Sequence, residues 1–263
     1  MISGSGGCTW PGLDSAVSRT VRTRHGEAEI VEGAVAGIEV VHLARHSALD
    51  DLGGHARLSN HVNHKANIAA LREAGVGCVI SLTACGAVDP SVGPGSLIVF
   101  DDLYFPANRL PDGSACTWFD EPGARDRGHW IFDRPFSTPV RAALIAASEA
   151  AGAPMRVHGC YGHVDGPRFN TRTEIAALAR AGVTAVSQTA GPEAVLAGEA
   201  ELPMALVGFV TDWANGIVGH PEPIDALVAR MNASARIFAD LLTAALPRLA
   251  DLAPAGFVYR LES

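Results

Sequence analysis

The chain has 263 residues, 48% apolar and 18% charged, a globular composition with enough length to bury one sizeable core. Its formal net charge of −8 argues against a protein that wraps nucleic acid, and any phosphate site must carry its own local cations. No apolar stretch reaches the roughly 18 residues of a membrane helix, and Cys8, Cys78, Cys85, Cys116 and Cys160 form no Cys-x-x-Cys pair, which argues against a disulfide framework or zinc knuckle.

The N-terminus lacks a basic segment followed by an apolar run, so a cytoplasmic location is expected. Met1-Ile2-Ser3-Gly4-Ser5-Gly6-Gly7 reads as the end of a strand entering a Gly-rich turn; either that strand is very short or the chain starts further upstream. Apolar, β-branched residues then predict a strand over 38–44, and a helical pattern follows over 62–74. The run 77–82 predicts a buried strand, with Thr83-Ala84-Cys85-Gly86-Ala87 as the turn leaving it. A further strand is predicted over 96–100. Residues 101–139 break the rhythm with Pro106, Pro111, Pro122, Pro135 and Pro139, and a long irregular segment of this kind reads as an active-site loop or an inter-subunit arm. Helices over 140–151, 171–181, 193–200 and 223–246 then alternate with strands over 156–164, 183–187 and 205–210. Strands alternating with helices predict βα units and a largely parallel sheet covered on both faces, with no internal domain boundary in residues 1–263.

The strand ends carry the chemistry. They are Gly4-Ser5-Gly6, Arg45-His46, Thr83-Ala84, Asp165-Gly166-Pro167-Arg168-Phe169, Gln188-Thr189 and Thr211-Asp212. On such a sheet they converge along one edge, where ligands bind. A guanidinium, hydroxyls and Gly-flanked amides are what an oxyanion requires, and Asp212 adds a proton donor or hydrogen-bond acceptor. From the residues alone this means an anion together with a polar organic ligand.

These motifs, with Val62-Asn63-His64-Lys65-Ala66-Asn67-Ile68 and Thr189-Ala190-Gly191-Pro192-Glu193-Ala194, stand in one order from about Ser3 to Leu246. Together they resemble the trimeric purine nucleoside phosphorylase family, and most closely its 5′-methylthioadenosine phosphorylase branch. The resemblance implies a single-domain α/β phosphorylase/hydrolase-like fold, with a central mixed twisted β-sheet flanked by helices, assembled as a homotrimer or a hexamer. It implies phosphorolysis of a nucleoside, with inorganic phosphate as co-substrate, no cofactor, no metal, no nucleic-acid partner and no membrane. Carried over by position, Ser5, Arg45, His46, Thr83, Ala84 and Thr189 would bind phosphate. His55 would lie near the sugar, and Phe169 would line the base pocket. Gln188 takes the place of a Met beside the ribose, and Asp212 would bond the purine and assist its departure. His129, within Arg127-Gly128-His129-Trp130, falls where the family sends a loop into the neighbouring subunit's 5′-pocket, at a shorter spacing.

The sequence departs from the adenine-specific pattern at three places. Ala214 stands where a second Asp is usual, Asn170 where Ser or Glu is usual, and Gln188 replaces Met. One carboxylate among several amides suits a 6-oxopurine or methylthio-nucleoside, with a uridine-type substrate as the alternative. A nucleoside hydrolase and a non-catalytic nucleoside-binding homologue are the other readings. The hydrolase has no need for the full oxyanion set of Arg45, Thr83 and Thr189, whereas Ala214 and Gln188 leave room for the binder.

Blander readings apply to several residues. Cys85 reads as a packing thiol and not a nucleophile. His61 and His64 lie three apart but have no carboxylate to complete a metal set, and His64-Lys65 reads as solvated helix surface or subunit contact. Arg168 reads as a brace for its turn, and the Ala/Leu stripe over 226–246 as core packing.

Overall fold

The computed structural model describes residues 1–4, 12–46, 56–220, 222–250 and 252–261. In chain order its strands are β1 (Ile2–Ser3), β2 (Asp14–Thr23), β3 (Gly26–Val35), β4 (Ile38–Ala44), β5 (Val79–Ala87), β6 (Leu97–Val99) and β7 (Asp102–Tyr104). They continue as β8 (Gly128–Ile131), β9 (Met155–Arg156), β10 (Cys160–His163), β11 (Val183–Ser187), β12 (Met204–Trp213) and β13 (Phe257–Arg260). The helices are α1 (His64–Glu73), α2 (Thr138–Ala150), α3 (Arg172–Arg180), α4 (Ala190–Glu199) and α5 (Ile224–Ala245), with a 3₁₀ turn at Ser59–His61.

The central sheet runs β2-β3-β4-β1-β5-β11-β10-β7, and β12 branches from β5 to pair also with β6. It is mixed: β4, β1, β5 and β12 are parallel, whereas β11 is antiparallel to β5 and β6 to β12. Helices cover both faces, as parallel strands demand. Along β5, Val79, Cys85 and Ala87 face a core shared with Ile68 and Leu71 of α1 and Leu196 of α4. Ile80 and Leu82 face the opposite core, with Leu144 of α2 and Phe238 and Leu242 of α5. A strand buried on both faces has no need of polar alternation, which is why its apolar run is legible.

Local chemistry starts the helices. The Asn63 side chain accepts from the Ala66 amide at α1, and Ser137 accepts from the Val140 amide at α2. Thr171 and Glu174 form a reciprocal capping box at α3. The expected helices over 62–74, 140–151 and 171–181 match α1, α2 and α3 to within two residues at each end.

Two expectations need correction, and one element went without an expectation. Residues 83–87 are not a turn but the second half of β5, because β12 pairs with them as far as Ala87 and β11 pairs at Gly86 and Ala87. The segment 101–139 is not wholly irregular, since it contains β7 and β8. The β2–β3 hairpin had no apolar run to announce it; β2 is exposed along most of its length and is tied to β3 by the ladder and by the Arg19–Glu32 and Arg22–Glu27 ion pairs. Among the described residues, no helix is long and apolar enough to cross a membrane.

Candidate active site

The sheet leaves a cavity of about 300 Å³ at the strand ends, a volume suited to a small organic molecule. Arg45, His46, Thr83, Ala84, Phe169, Asn170, Gln188, Thr189, Asp212 and Ala214 all line it, so ten of the positions singled out in the sequence meet in one place. Ser5 and His55 lie outside the described residues.

At one end sits Arg45, just past β4 and fully buried. Its Nε and Nη2 donate to the Glu193 carboxylate at 2.7 and 3.0 Å, Nη2 also donates to Ser81 Oγ at 2.7 Å, and Nη1 donates to the Leu82 carbonyl at 2.9 Å. A Cβ on Gly4 would come within 2.6 Å of Nη1, so only glycine lets the chain pass this guanidinium. His46 donates from Nδ1 to the Arg57 carbonyl at 2.8 Å, which fixes the ring proton on that nitrogen. The Thr83 hydroxyl contacts Ser187 Oγ at 3.0 Å. Thr189 stands at the N-cap of α4, but its side chain makes no capping bond, and it faces the cavity at the positive end of the helix. The amides of Thr189 and Ala190 donate to the buried Tyr161 hydroxyl at 3.4 and 3.1 Å, and burial pushes that phenol up to about 12.

The other end is more apolar. Phe169, 66% exposed, stands at the mouth, with Ala214, Ile175, Leu227 and Met231 around it. Asp212 reaches this end because β12 bulges: Val210 pairs with Cys85 and Asp212 with Gly86, which leaves Thr211 as the extra residue. A bulge breaks the strict alternation of a strand, so that Thr211 and Asp212 both line the cavity. Burial raises the Asp212 carboxyl above its ordinary value, opposed by the Thr211 hydroxyl, which donates to it at 2.8 Å. Between the two ends, Gln188 accepts from Ser59 Oγ at 3.0 Å and donates to the Arg168 carbonyl at 3.2 Å. Arg168 itself donates to the Phe169 carbonyl at 3.2 Å, the bracing expected of it, and also pairs with Glu174 at 2.7 Å.

His129 is not brought to this cavity. It lies on β8, which pairs with β13 and is pinned by the Trp130 indole donating to the Ala255 carbonyl, and it lines a separate, more open cavity of about 520 Å³ with Phe105, Trp130 and Glu199. His64 is not surface either: it is buried at the start of α1, 3.9 Å from Glu193, and desolvation holds its imidazole neutral. Cys85 is buried with its thiol raised by desolvation, in keeping with packing. Among the described residues no cluster of His, Cys, Asp or Glu is arranged to hold a metal ion.

Several residues of the site escaped the sequence reading. Glu193 carries no role in the sequence motifs; the signal for it is an acidic residue in the first turn of the apolar helix AGPEAVLAGE. Leu227 and Met231 were absorbed into a core stripe, although α5 crosses the cavity before it enters the core at Ser234. Ser59, Ser187 and Asn215 carried no signal beyond being small and polar.

Residues 10–247 match the model of the phosphorylase superfamily. A 6-oxopurine nucleoside phosphorylase from Pyrococcus furiosus is 34% identical over 252 residues, covering 94% of this chain and 91% of that protein. A probable S-methyl-5′-thioinosine phosphorylase from Xanthomonas campestris is 35% identical over 218 residues, covering 82% of this chain and 83% of that protein. Among solved structures, methylthioadenosine phosphorylase from Schistosoma mansoni in complex with adenine superposes with a TM-score of 0.81 at 27% identity, over 95% of this chain and 91% of that one. With a family match running through β4, β5, β10, β11 and β12, the strands that build the cavity, the chain belongs to the phosphorylase superfamily.

Proposed function

We propose that the chain is a purine nucleoside phosphorylase: phosphate attacks the anomeric carbon of a nucleoside as the C–N bond breaks, giving free base and sugar 1-phosphate. The observation that carries this reading is one cavity lined at one end by Arg45, His46, Thr83 and Thr189 and at the other by Phe169 and other apolar side chains with the Asp212 carboxylate. The names of the relatives, 6-oxopurine nucleoside phosphorylase and S-methyl-5′-thioinosine phosphorylase, support it.

In this reading Arg45, His46, Thr83, the Ala84 amide and Thr189 hold phosphate, with Ser5 joining them. They position it and stabilise the charge that develops in an oxocarbenium-like transition state. Phe169 stacks on the base. Asp212, its carboxyl raised by burial, gives or shares a proton with the departing purine, a contribution of about 10²–10⁴-fold. His55 serves the sugar, and Gln188 and Asn170 complete the nucleoside wall. Inorganic phosphate is the co-substrate, and no organic cofactor or metal takes part.

A 6-oxopurine or its methylthio-nucleoside is favoured over adenine, because Ala214 leaves the base end with one carboxylate beside the amides of Asn170 and Asn215. The same proposal includes a cytoplasmic homotrimer of a single catalytic domain in which His129 serves a neighbouring copy. Base release from inosine, guanosine, adenosine, methylthioadenosine, methylthioinosine and uridine, with and without phosphate, tests it. Phosphate-dependent release that is fastest with a 6-oxopurine is the expected result. Phosphate-independent release would make the protein a hydrolase, and binding without turnover would make it a nucleoside-binding protein.

A further inference from the structure

Arg45 lines the cavity, but the residue that fixes it does not. Glu193 is 0% exposed, sits in the first turn of α4 and lies behind the guanidinium on the side away from the cavity. Its two oxygens accept from Arg45 Nε and Nη2, and Oε2 also accepts from Ser81 Oγ at 2.7 Å. Ser81 Oγ in turn accepts from Arg45 Nη2. With the Leu82 carbonyl on Nη1, four of the five guanidinium N–H groups are spent inside the protein. The fifth is the second N–H of Nη1, for which no acceptor is found among the described residues, and Arg45 is the member of the pair that lines the cavity.

The second neighbour of Glu193 is His64, whose ring nitrogens have no hydrogen-bond partner and whose burial keeps it neutral. Among the described residues Arg45 is therefore the cation that balances Glu193. The pair as a whole is uncharged, so the oxyanion end gains direction from Arg45 more than it gains net positive charge. Thr189, one helical turn before Glu193, places the start of the same helix against the cavity.

We propose that Glu193 is a positioning residue of the phosphate site. It acts through Arg45, freezing the guanidinium so that a single Nη1–H is presented to the oxyanion, and Ser81 closes the pair. The proposal rests on the phosphorylase reading above. Its consequence is selective: loss of Glu193 must disturb phosphate more than nucleoside.

The test compares wild type, Glu193→Gln and Ser81→Ala, reading kcat and the two KM values separately, with phosphate binding alone followed by calorimetry. Glu193→Gln is expected to raise the phosphate KM at least tenfold and to leave the nucleoside KM within twofold. Ser81→Ala, a smaller truncation, should shift the phosphate KM about threefold in the same direction. Should Glu193→Gln fail to fold, Ser81→Ala decides. A folded variant with unchanged phosphate KM and phosphate affinity overturns the proposal, as does a rise of both KM values in proportion, which is what general loosening produces. If the wild type shows no phosphate-dependent turnover, the functional reading fails instead, and the calorimetric comparison still decides the role of Glu193.

Discussion

Replacing Arg45 by Met separates what the guanidinium does for the fold from what it does for the site. The Arg45 and Glu193 side chains are 1% and 0% exposed, so among the described residues removing the cation leaves the carboxylate with a hydrogen bond from the Ser81 hydroxyl and a neutral His64 3.9 Å away. Breaking a buried pair in this way costs about 3–5 kcal/mol, a large share of a total stability of about 5–15 kcal/mol. At about 2.1 cal/mol/K per residue, 263 residues give an unfolding entropy of roughly 0.55 kcal/mol/K, so Tm should fall by roughly 5–10 °C. The double variant Arg45→Met, Glu193→Leu removes both charges and fills the space with apolar atoms, a change that is often neutral or stabilising. It should recover most of the lost Tm while phosphate-dependent activity stays absent. Differential scanning calorimetry and the base-release assay on both proteins make the comparison. A double variant as unstable as the single one would refute the reasoning, because the unpaired carboxylate would then not be the cause.

Asp212→Asn should lower kcat by about 10²–10⁴-fold and remove a limb from the pH profile. The raised carboxyl must be protonated to act as an acid, so wild-type activity should fall as pH rises through a value above the ordinary carboxylate range; a variant keeping a tenth of wild-type kcat sinks the role. His163 is buried and held at about 3, far below its ordinary 6.5, by desolvation, and His64 is shifted in the same direction. The unfolded chain takes up these protons first, so stability is full above pH 6.5 and is lost as pH falls below it. At pH 5, His163 alone should cost about 2 kcal/mol, and a flat denaturant midpoint between pH 7.5 and 5 would contradict this. At Gly198 an added Cβ would lie 2.2 Å from the Trp130 ring. Gly198→Ala should therefore destabilise by about 1–3 kcal/mol, since overpacking a rigid indole outweighs the helix-propensity gain of about 1 kcal/mol; a raised Tm would show that the indole moves freely.

The sequence by itself determined the parallel centre of the fold and the composition of the cavity. The first half of β5 and the middle of β12 are largely apolar because both their faces are covered, and helices α1, α2 and α3 begin at side-chain caps that can be read from the chain. The strand-end residues were legible because a parallel sheet gathers such ends on one edge whatever the connections between them. Tertiary structure alone decided the rest. The β2–β3 hairpin is held by a backbone ladder and exposed ion pairs, which leave no hydrophobic pattern. The second half of β5 is made of Thr, Ala, Cys and Gly, and its extended form comes from pairing with β12 and β11 and not from its own propensity. Asp212 faces the cavity through a bulge that only the register between β12 and β5 reveals. Glu193 meets Arg45 across 148 residues of chain, and His64 was read as surface because a histidine at a helix start is usually solvated. Whether such a residue is buried depends on which elements pack above it, and that is a property of the assembled layers.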